Sequence, residues 1–209
     1  MSEDKWNDET FVNERIASLK EAIGFFSPQR KQERELWVGH ELLSYLGLTA
    51  ECQELKLSAD EPPDLLFKEA KFELKEIMDE GWPRGREYKE ALKIAEKAKN
   101  TKELLEESTP KKMKVSDAVL LVNQKASSWS KKYAPDVTRN LDLLFYLNLQ
   151  DYSIIGNELS YEELEDYETL SLWRSVTVVS NDCAFVLFTN NDAPEFLKVS
   201  VGSLYRKNI

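Results

Sequence analysis

The feature that most constrains the fold is a proline break followed by two strand patterns. Pro62-Pro63 interrupts the chain, residues 64–67 are Asp-Leu-Leu-Phe, and polar and apolar side chains alternate from Lys71 to Ile77. This period of two is typical of β-strands, because successive side chains point to opposite faces of a sheet. Residues from Cys52 to Ser58 roughly alternate as well. With a tight turn at residues 68–70, the sequence predicts an antiparallel meander of three strands.

Helix signals precede and follow this meander. Apolar residues recur at helical spacing from about Asp8 to Phe26, and Ser27-Pro28 favours the start of a second helix that ends near Gly47. Residues 84–107 are rich in Glu, Lys, Ala and Leu, which predicts a helix after the strands. Ser116 is a candidate cap for another helix that reaches Trp129.

Two apolar segments predict the rest of the sheet. Residues 141–149 are apolar nearly throughout, as expected of a strand covered on both faces, and residues 176–188 favour a hairpin around Ser180-Asn181-Asp182. The core order of helix, three strands, helix and strand, with an extra N-terminal helix and a C-terminal hairpin, indicates an α/β fold. A chain of 209 residues, 42% of them hydrophobic, suits one core, so we expect a single domain over residues 1–209.

Composition narrows the function classes. The net charge of −10 argues against a general nucleic-acid coating protein, but it leaves room for a local basic groove. No glycine-rich phosphate loop is present, so we expect no nucleotide cofactor, and His40 is the only histidine. Cys52 and Cys183 lack metal-finger spacing. No stretch has the pattern of a signal peptide or a membrane span, so we expect a cytoplasmic protein with no membrane partner.

The predicted strands place three chemically useful side chains together. Glu73 and Lys75 lie two apart and should share one face of their strand, and the turn would bring Asp64 beside Glu73. Two carboxylates suit Mg²⁺ or Mn²⁺, which fill their other coordination positions with water and substrate phosphate. Lys75 could orient the attacking water or stabilise charge in the transition state. We therefore predict Asp64, Glu73 and Lys75 as catalytic residues, with Asp64 and Glu73 as metal ligands.

This pattern resembles a known nuclease motif. Pro63-Asp64, a short interval and then apolar-Glu-x-Lys inside a strand are similar to the PD-(D/E)xK nuclease superfamily. More closely, residues 72–80 with Arg84, Arg86, Glu87 and Tyr88 resemble the bacterial family called domain of unknown function 1780. The resemblance implies a restriction-endonuclease-like core over most of the chain. It does not by itself supply a reaction.

The resemblance also suggests further site residues. Many members of the superfamily carry an acidic residue on the helix before the strands, and Glu35 is the candidate here, with Glu33 and Glu41 as rivals. Each of the three is individually more typical of a surface charge. Arg84 and Arg86 could bind DNA phosphates, although arginines before a helix also serve solubility.

The motif supports two principal hypotheses. Glu-x-Lys is weak alone, because it occurs three times, at Glu54, Glu73 and Glu87, and only the copy at Glu73 follows a Pro-Asp. We expect a metal-dependent endonuclease that hydrolyses DNA phosphodiester bonds. The acidic charge also fits an inactive nuclease-fold protein that binds or regulates a partner. A third hypothesis is that the motif occurs by chance in an unrelated α/β protein. The choice of DNA or RNA and the oligomeric state stay open.

Overall fold

A computed structural model describes residues 8–81, 83–104, 109–150, 152–156 and 168–207. The chain separates into two compact units, the first within residues 1–34 and 80–109 and the second within residues 35–79 and 110–209. The expectation of one domain over residues 1–209 stays a prediction. No helix within the described residues is long and apolar enough to cross a membrane.

The first unit is helical. Helix α1 (Asp8–Phe25) packs with helix α3 (Arg86–Ala95) and with a 3-10 helix at Thr101–Leu104. Phe26, directly after α1, stacks on Tyr88 with ring centroids 5.2 Å apart. The boundaries of α1 confirm the predicted first helix.

The predicted helix over residues 84–107 was too long. Helix α3 ends at Ala95, and the described chain turns before the 3-10 helix begins. The Glu103 carboxylate accepts hydrogen bonds from the Lys99 amide at 2.9 Å and from the Asn100 side chain at 2.7 Å. These local bonds stabilise a turn where a high helix propensity alone predicts continuation. Residues 105–108, the end of the predicted helix, lie outside the described residues.

The second unit is built on a seven-stranded mixed sheet in the order β1-β2-β3-β5-β7-β8-β9. Its strands are β1 (Lys56–Leu57), β2 (Leu65–Phe67), β3 (Ala70–Met78), β5 (Asp142–Asn148), β7 (Ser175–Ser180), β8 (Cys183–Thr189) and β9 (Leu204–Arg206). Strands β1 to β3 form the predicted antiparallel meander, β3, β5 and β7 are parallel, and β7 with β8 forms the predicted hairpin. A separate parallel pair joins β4 (Lys111–Lys114) to β6 (Tyr152–Ile155).

Helices cover both faces of the sheet. Helix α2 (Lys31–Tyr45) begins after a 3-10 turn at Pro28–Arg30, and its apolar side chains pack on the face to which Phe72 and Leu144 point. Helix α4 (Val115–Ser130) packs on the other face, to which Ile77, Leu143 and Phe145 point. Strand β5 is apolar on both sides for this reason, as its sequence predicts.

The remaining elements of the second unit are short. They are 3-10 helices at Thr49–Glu54 and Leu170–Leu172 and the helices α5 (Pro135–Thr138) and α6 (Glu195–Lys198). The strand predicted from Cys52 to Ser58 was largely wrong, because residues up to Glu54 form a 3-10 helix and only Lys56–Leu57 pairs with β2. Alternation over such a short stretch does not separate a strand from a helical turn.

Candidate active site

The β2–β3 ladder places Asp64 beside Glu73. Leu65 pairs with Phe72, so the next position of the same antiparallel register sets Asp64 opposite Glu73. The Asp64 amide donates to the Phe72 carbonyl at 2.9 Å, and the Leu74 amide donates to Asp64 Oδ2 at 2.8 Å. Opposite residues in an antiparallel pair project from the same face, so the two carboxylates are neighbours. The backbone bond from Leu74 also fixes the orientation of the Asp64 carboxylate.

Lys75 joins Glu73 on this face. The Lys75 ammonium donates a hydrogen bond to Glu73 Oε1, and the two side chains are only 13% and 7% exposed. Asp64 is equally protected, with 8% of its surface exposed. Three ionisable side chains are therefore held in a nearly buried cluster. Burial on this scale strengthens their electrostatic interactions relative to those of surface charges.

Two aromatic residues complete the cluster, Trp129 in the last turn of α4 and Tyr133 just after that helix. The Tyr133 hydroxyl donates a hydrogen bond of 2.6 Å to Glu73 Oε1, the same oxygen that Lys75 contacts. The Lys75 ammonium lies 4.6 Å from the centroid of the Trp129 ring, within the range of a cation–π interaction. No local pattern in the sequence links Tyr133 to a strand 60 residues away.

The environment of Tyr133 shifts the pKa of its phenol. Burial, first of all, and then the hydrogen bond to Glu73 raise the pKa of the Tyr133 phenol. The negative charges of Glu73, Asp64 and Glu61 act in the same direction. Both site carboxylates therefore lie close enough to one phenol to disfavour its ionisation. Two neighbouring carboxylates attract a cation, and the Lys75 ammonium already supplies part of that positive charge.

The three candidate glutamates on the second helix differ in burial. Glu35 is buried, with 5% of its surface exposed. Glu33 is exposed and pairs with Arg30, and Glu41 pairs with Lys207. Among the described residues, however, no three His, Cys, Asp or Glu side chains form a group that could hold a metal ion. The structure thus brings Asp64 and Glu73 together without assembling Glu35 with them into such a group.

The two predicted DNA-contacting arginines belong to the first compact unit. Arg84 is partly exposed, and the exposed Arg86 forms a hydrogen bond of 2.7 Å from Nε to Glu90 Oε1 on the next turn of α3. Asp64, Glu73 and Lys75 all belong to the second unit.

A second buried polar network lies at the start of β5 and was not predicted. Asp142 is fully buried and accepts hydrogen bonds from Arg174 Nε at 3.0 Å, Ser175 Oγ at 2.7 Å and the Lys71 amide at 2.8 Å. Arg174 also donates to the Glu69 carbonyl at 3.0 Å. The network ties β3, β5 and β7 together at one end of the sheet. Charged residues beside two apolar strand segments were the sequence signal that could have revealed it.

A comparison with models of known protein families identifies the family of this chain. A family model described as "Putative endonuclease, protein of unknown function (DUF1780)" matches residues 7–209. The chain belongs to this family. Membership confirms the closer of the two resemblances seen in the motif around Glu73. The wider PD-(D/E)xK assignment stays a prediction.

A solved structure shares the fold of this DUF1780 member. It is a Pseudomonas aeruginosa protein of unknown function, described as belonging to the monooxygenase superfamily. The two chains are 23% identical, the match covers 97% of each, and the TM-score is 0.65. At this identity the likeness concerns the fold alone, which is mixed α/β as predicted. No curated protein matches the chain.

Proposed function

We propose that this protein is a metal-dependent endonuclease that hydrolyses phosphodiester bonds in DNA on a restriction-endonuclease-like, PD-(D/E)xK-type core. The observation that carries the proposal is the pairing of Asp64 with Glu73 across two strands, with the Lys75 ammonium on Glu73. The description of the DUF1780 family supports a nuclease. The fold alone would not, since one fold hosts many activities.

The residues at this position fit a hard divalent cation. Lys75 and Tyr133 both donate to Oε1 of Glu73, so neither of these bonds occupies Oε2. Asp64 and Glu73 would hold Mg²⁺ or Mn²⁺ through carboxylate oxygens, and these ions commonly take only one or two protein carboxylates. When bound, such an ion lowers the pKa of a coordinated water and polarises the phosphoryl group. Glu35 is not assembled with these two residues in the described part of the chain, so the proposed site has two protein ligands.

Lys75 is the proposed charge-stabilising residue. Its ammonium is held against Glu73 and the Trp129 ring, in a nearly buried position where an ammonium interacts strongly with developing negative charge. In the proposed reaction it orients the attacking water or stabilises the pentacovalent phosphoryl group. Arg84 and Arg86 are proposed contacts to DNA phosphates, in keeping with the guanidinium preference for phosphate oxygens.

A second candidate function is binding without cleavage. Glu73 already has a cationic partner and a phenolic donor from within the chain, and the net charge of −10 opposes tight DNA binding. These observations favour a nuclease-fold protein in which the ion pair is purely structural. Such a protein would show no metal-dependent cleavage.

The test is cleavage of linear, nicked and single-stranded DNA with Mg²⁺ or Mn²⁺ and with chelator. We expect Glu73→Gln to lower the cleavage rate by at least about 100-fold, because it removes a charged ligand. Glu54→Gln is the matched control, since it changes the exposed Glu-x-Lys copy beside β1. Equal rates for wild type and Glu73→Gln, or no metal-dependent cleavage of any substrate, would reject the proposal.

A further inference from the structure

Tyr133 lies in the short segment between α4 and α5, and its hydroxyl reaches across to β3. It donates a hydrogen bond of 2.6 Å to Glu73 Oε1. The Lys75 ammonium contacts the same oxygen. Both donors therefore lie on one side of the carboxylate. A carboxylate with one oxygen held by two donors has little freedom to rotate, and its second oxygen keeps a fixed direction.

The phenol is itself held in place. The Tyr133 ring meets the Trp173 ring edge to face, with centroids 5.8 Å apart, and Trp173 is fully buried. The Tyr133 amide donates to the Ser130 carbonyl at 3.3 Å, which continues the last turn of α4. A ring packed on one side and hydrogen-bonded at its hydroxyl is a rigid support for its partner.

The same segment also supports Lys75. Trp129, one turn earlier on α4, places its ring 4.6 Å from the Lys75 ammonium. In the ion pair on β3, Tyr133 therefore contacts Glu73 and Trp129 contacts Lys75. Packing of a helix against a sheet requires apolar contact only, so it does not by itself explain a tyrosine hydroxyl directed at a buried carboxylate.

We propose that Tyr133 is a positioning residue that orients Glu73 for divalent-cation binding, an inference that rests on the proposed function. By holding Oε1, Tyr133 leaves Oε2 as the oxygen directed to the cation. Groups that hydrogen-bond a metal ligand raise affinity by fixing the orientation of that ligand, and their loss typically costs about 10-fold to 100-fold in affinity or activity.

The test is calorimetric titration of the purified protein with Mn²⁺. We expect Tyr133→Phe to weaken Mn²⁺ binding about 10-fold or more, because the ring stays and only the hydroxyl that orients Glu73 is lost. Tyr45→Phe is the matched control. It removes another buried hydroxyl of the same unit, which donates to the Asn181 carbonyl at 2.8 Å, and it should leave Mn²⁺ affinity unchanged. Thermal unfolding of both variants verifies that they fold.

A second readout separates orientation from general damage. The Mn²⁺ concentration for half-maximal DNA cleavage should rise with Tyr133→Phe, while the rate at saturating Mn²⁺ changes little. In a Glu73→Gln background, Tyr133→Phe should have no further effect on Mn²⁺ binding, since the oriented ligand is already lost.

The outcomes distinguish the two proposals. Wild-type protein that binds Mn²⁺ no more tightly than a folded Tyr133→Phe variant overturns the role of Tyr133 and leaves the proposed function intact. Wild-type protein that neither binds Mn²⁺ nor cleaves DNA overturns the proposed function and, with it, the role of Tyr133.

Discussion

Among the three Glu-x-Lys copies, burial sets Glu73 and Lys75 apart. Glu54 and Lys56 are exposed, and Glu87 and Lys89 belong to α3, where the next-but-one residue does not share a face. Glu73 and Lys75 share one face of a sheet strand and are only 7% and 13% exposed. Both groups have lost most of their contact with water. Good geometry and further hydrogen bonds must therefore offset the free-energy cost of removing the two charges from water.

The Asp142–Arg174 pair gives a stability prediction at this scale. Arg174→Met should lower the free energy of unfolding by about 3–5 kcal/mol, because it leaves the fully buried Asp142 carboxylate without its cation. Urea denaturation followed by circular dichroism measures the change.

The double variant Asp142→Asn/Arg174→Met is the control for this prediction. It removes both charges and should recover part of the lost stability. A single variant as stable as wild type would contradict the role assigned to the network.

Sequence alone predicted the contacts between site residues that lie close together in the chain. Strand alternation puts Glu73 and Lys75 on one face, as predicted. The turn is one residue shorter than predicted, because Ala70 pairs with Phe67, and this two-residue turn puts Asp64 opposite Glu73. Tyr133 and Arg174 reach the sheet from segments remote in sequence. Their contacts depend on how helices and strands pack, which no local period encodes.

At the scale of elements, the end of α2 was predicted correctly from Gly47. Its φ of 74° lies in the left-handed region. The Leu48 amide donates to the Leu43 carbonyl at 2.8 Å and the Gly47 amide to the Ser44 carbonyl at 3.2 Å, the two bonds of a Schellman motif. Glycine adopts this conformation without a Cβ clash, so the stop signal in the sequence has a direct physical cause.

Gly47→Ala should therefore lower the free energy of unfolding by about 1 kcal/mol, since alanine disfavours a positive φ. No heavy atom lies within 4 Å of the added Cβ, so crowding does not contribute. Chemical denaturation tests the prediction. Gly47→Asn should cost less, because asparagine tolerates this conformation better, and equal losses for the two variants would argue against the explanation.

Elements with weak local signals were missed. The paired strands β4 and β6 contain Lys111–Lys114 and Tyr152–Ile155, four residues each, and they are held together by parallel pairing between distant segments. Conversely, the helix predicted to continue to residue 107 was shortened by turn-forming bonds around Asn100. Propensity favours a helix in that stretch, and side-chain bonds to the backbone oppose it.

For the whole molecule, buried weak acids predict a loss of stability at high pH. Burial, followed by the charge of Glu41, raises the pKa of Tyr45 from an ordinary 10 to about 12. Burial also raises the pKa of the Cys183 thiol. A group whose pKa is higher in the folded state stabilises that state below its unfolded pKa, and the contribution is lost as the pH rises through the folded pKa.

The free energy of unfolding should consequently fall as the pH rises from about 10 to 12, the interval between the two Tyr45 values. Tyr45→Phe should show a shallower fall, because phenylalanine cannot ionise. Urea denaturation at several pH values measures both slopes. Between pH 7 and 9 the two proteins should differ by a constant offset, and parallel curves over the whole range would contradict the role of Tyr45.

The net charge of the whole chain limits how this family member can act on DNA. The chain matches the DUF1780 model over residues 7–209, and its net charge of −10 opposes general attraction to DNA. A proposed DNA-cleaving protein of this charge depends on a local site with a bound cation. The central claim is therefore that a divalent cation binds to Asp64 and Glu73.

The most direct measurement is an anomalous difference map from crystals of the full chain grown with Mn²⁺. We predict a peak in contact with carboxylate oxygens of both Asp64 and Glu73, and its loss in Glu73→Gln crystals grown under the same conditions. No peak at saturating Mn²⁺, or peaks only at sites remote from these two carboxylates, would contradict the proposed metal centre.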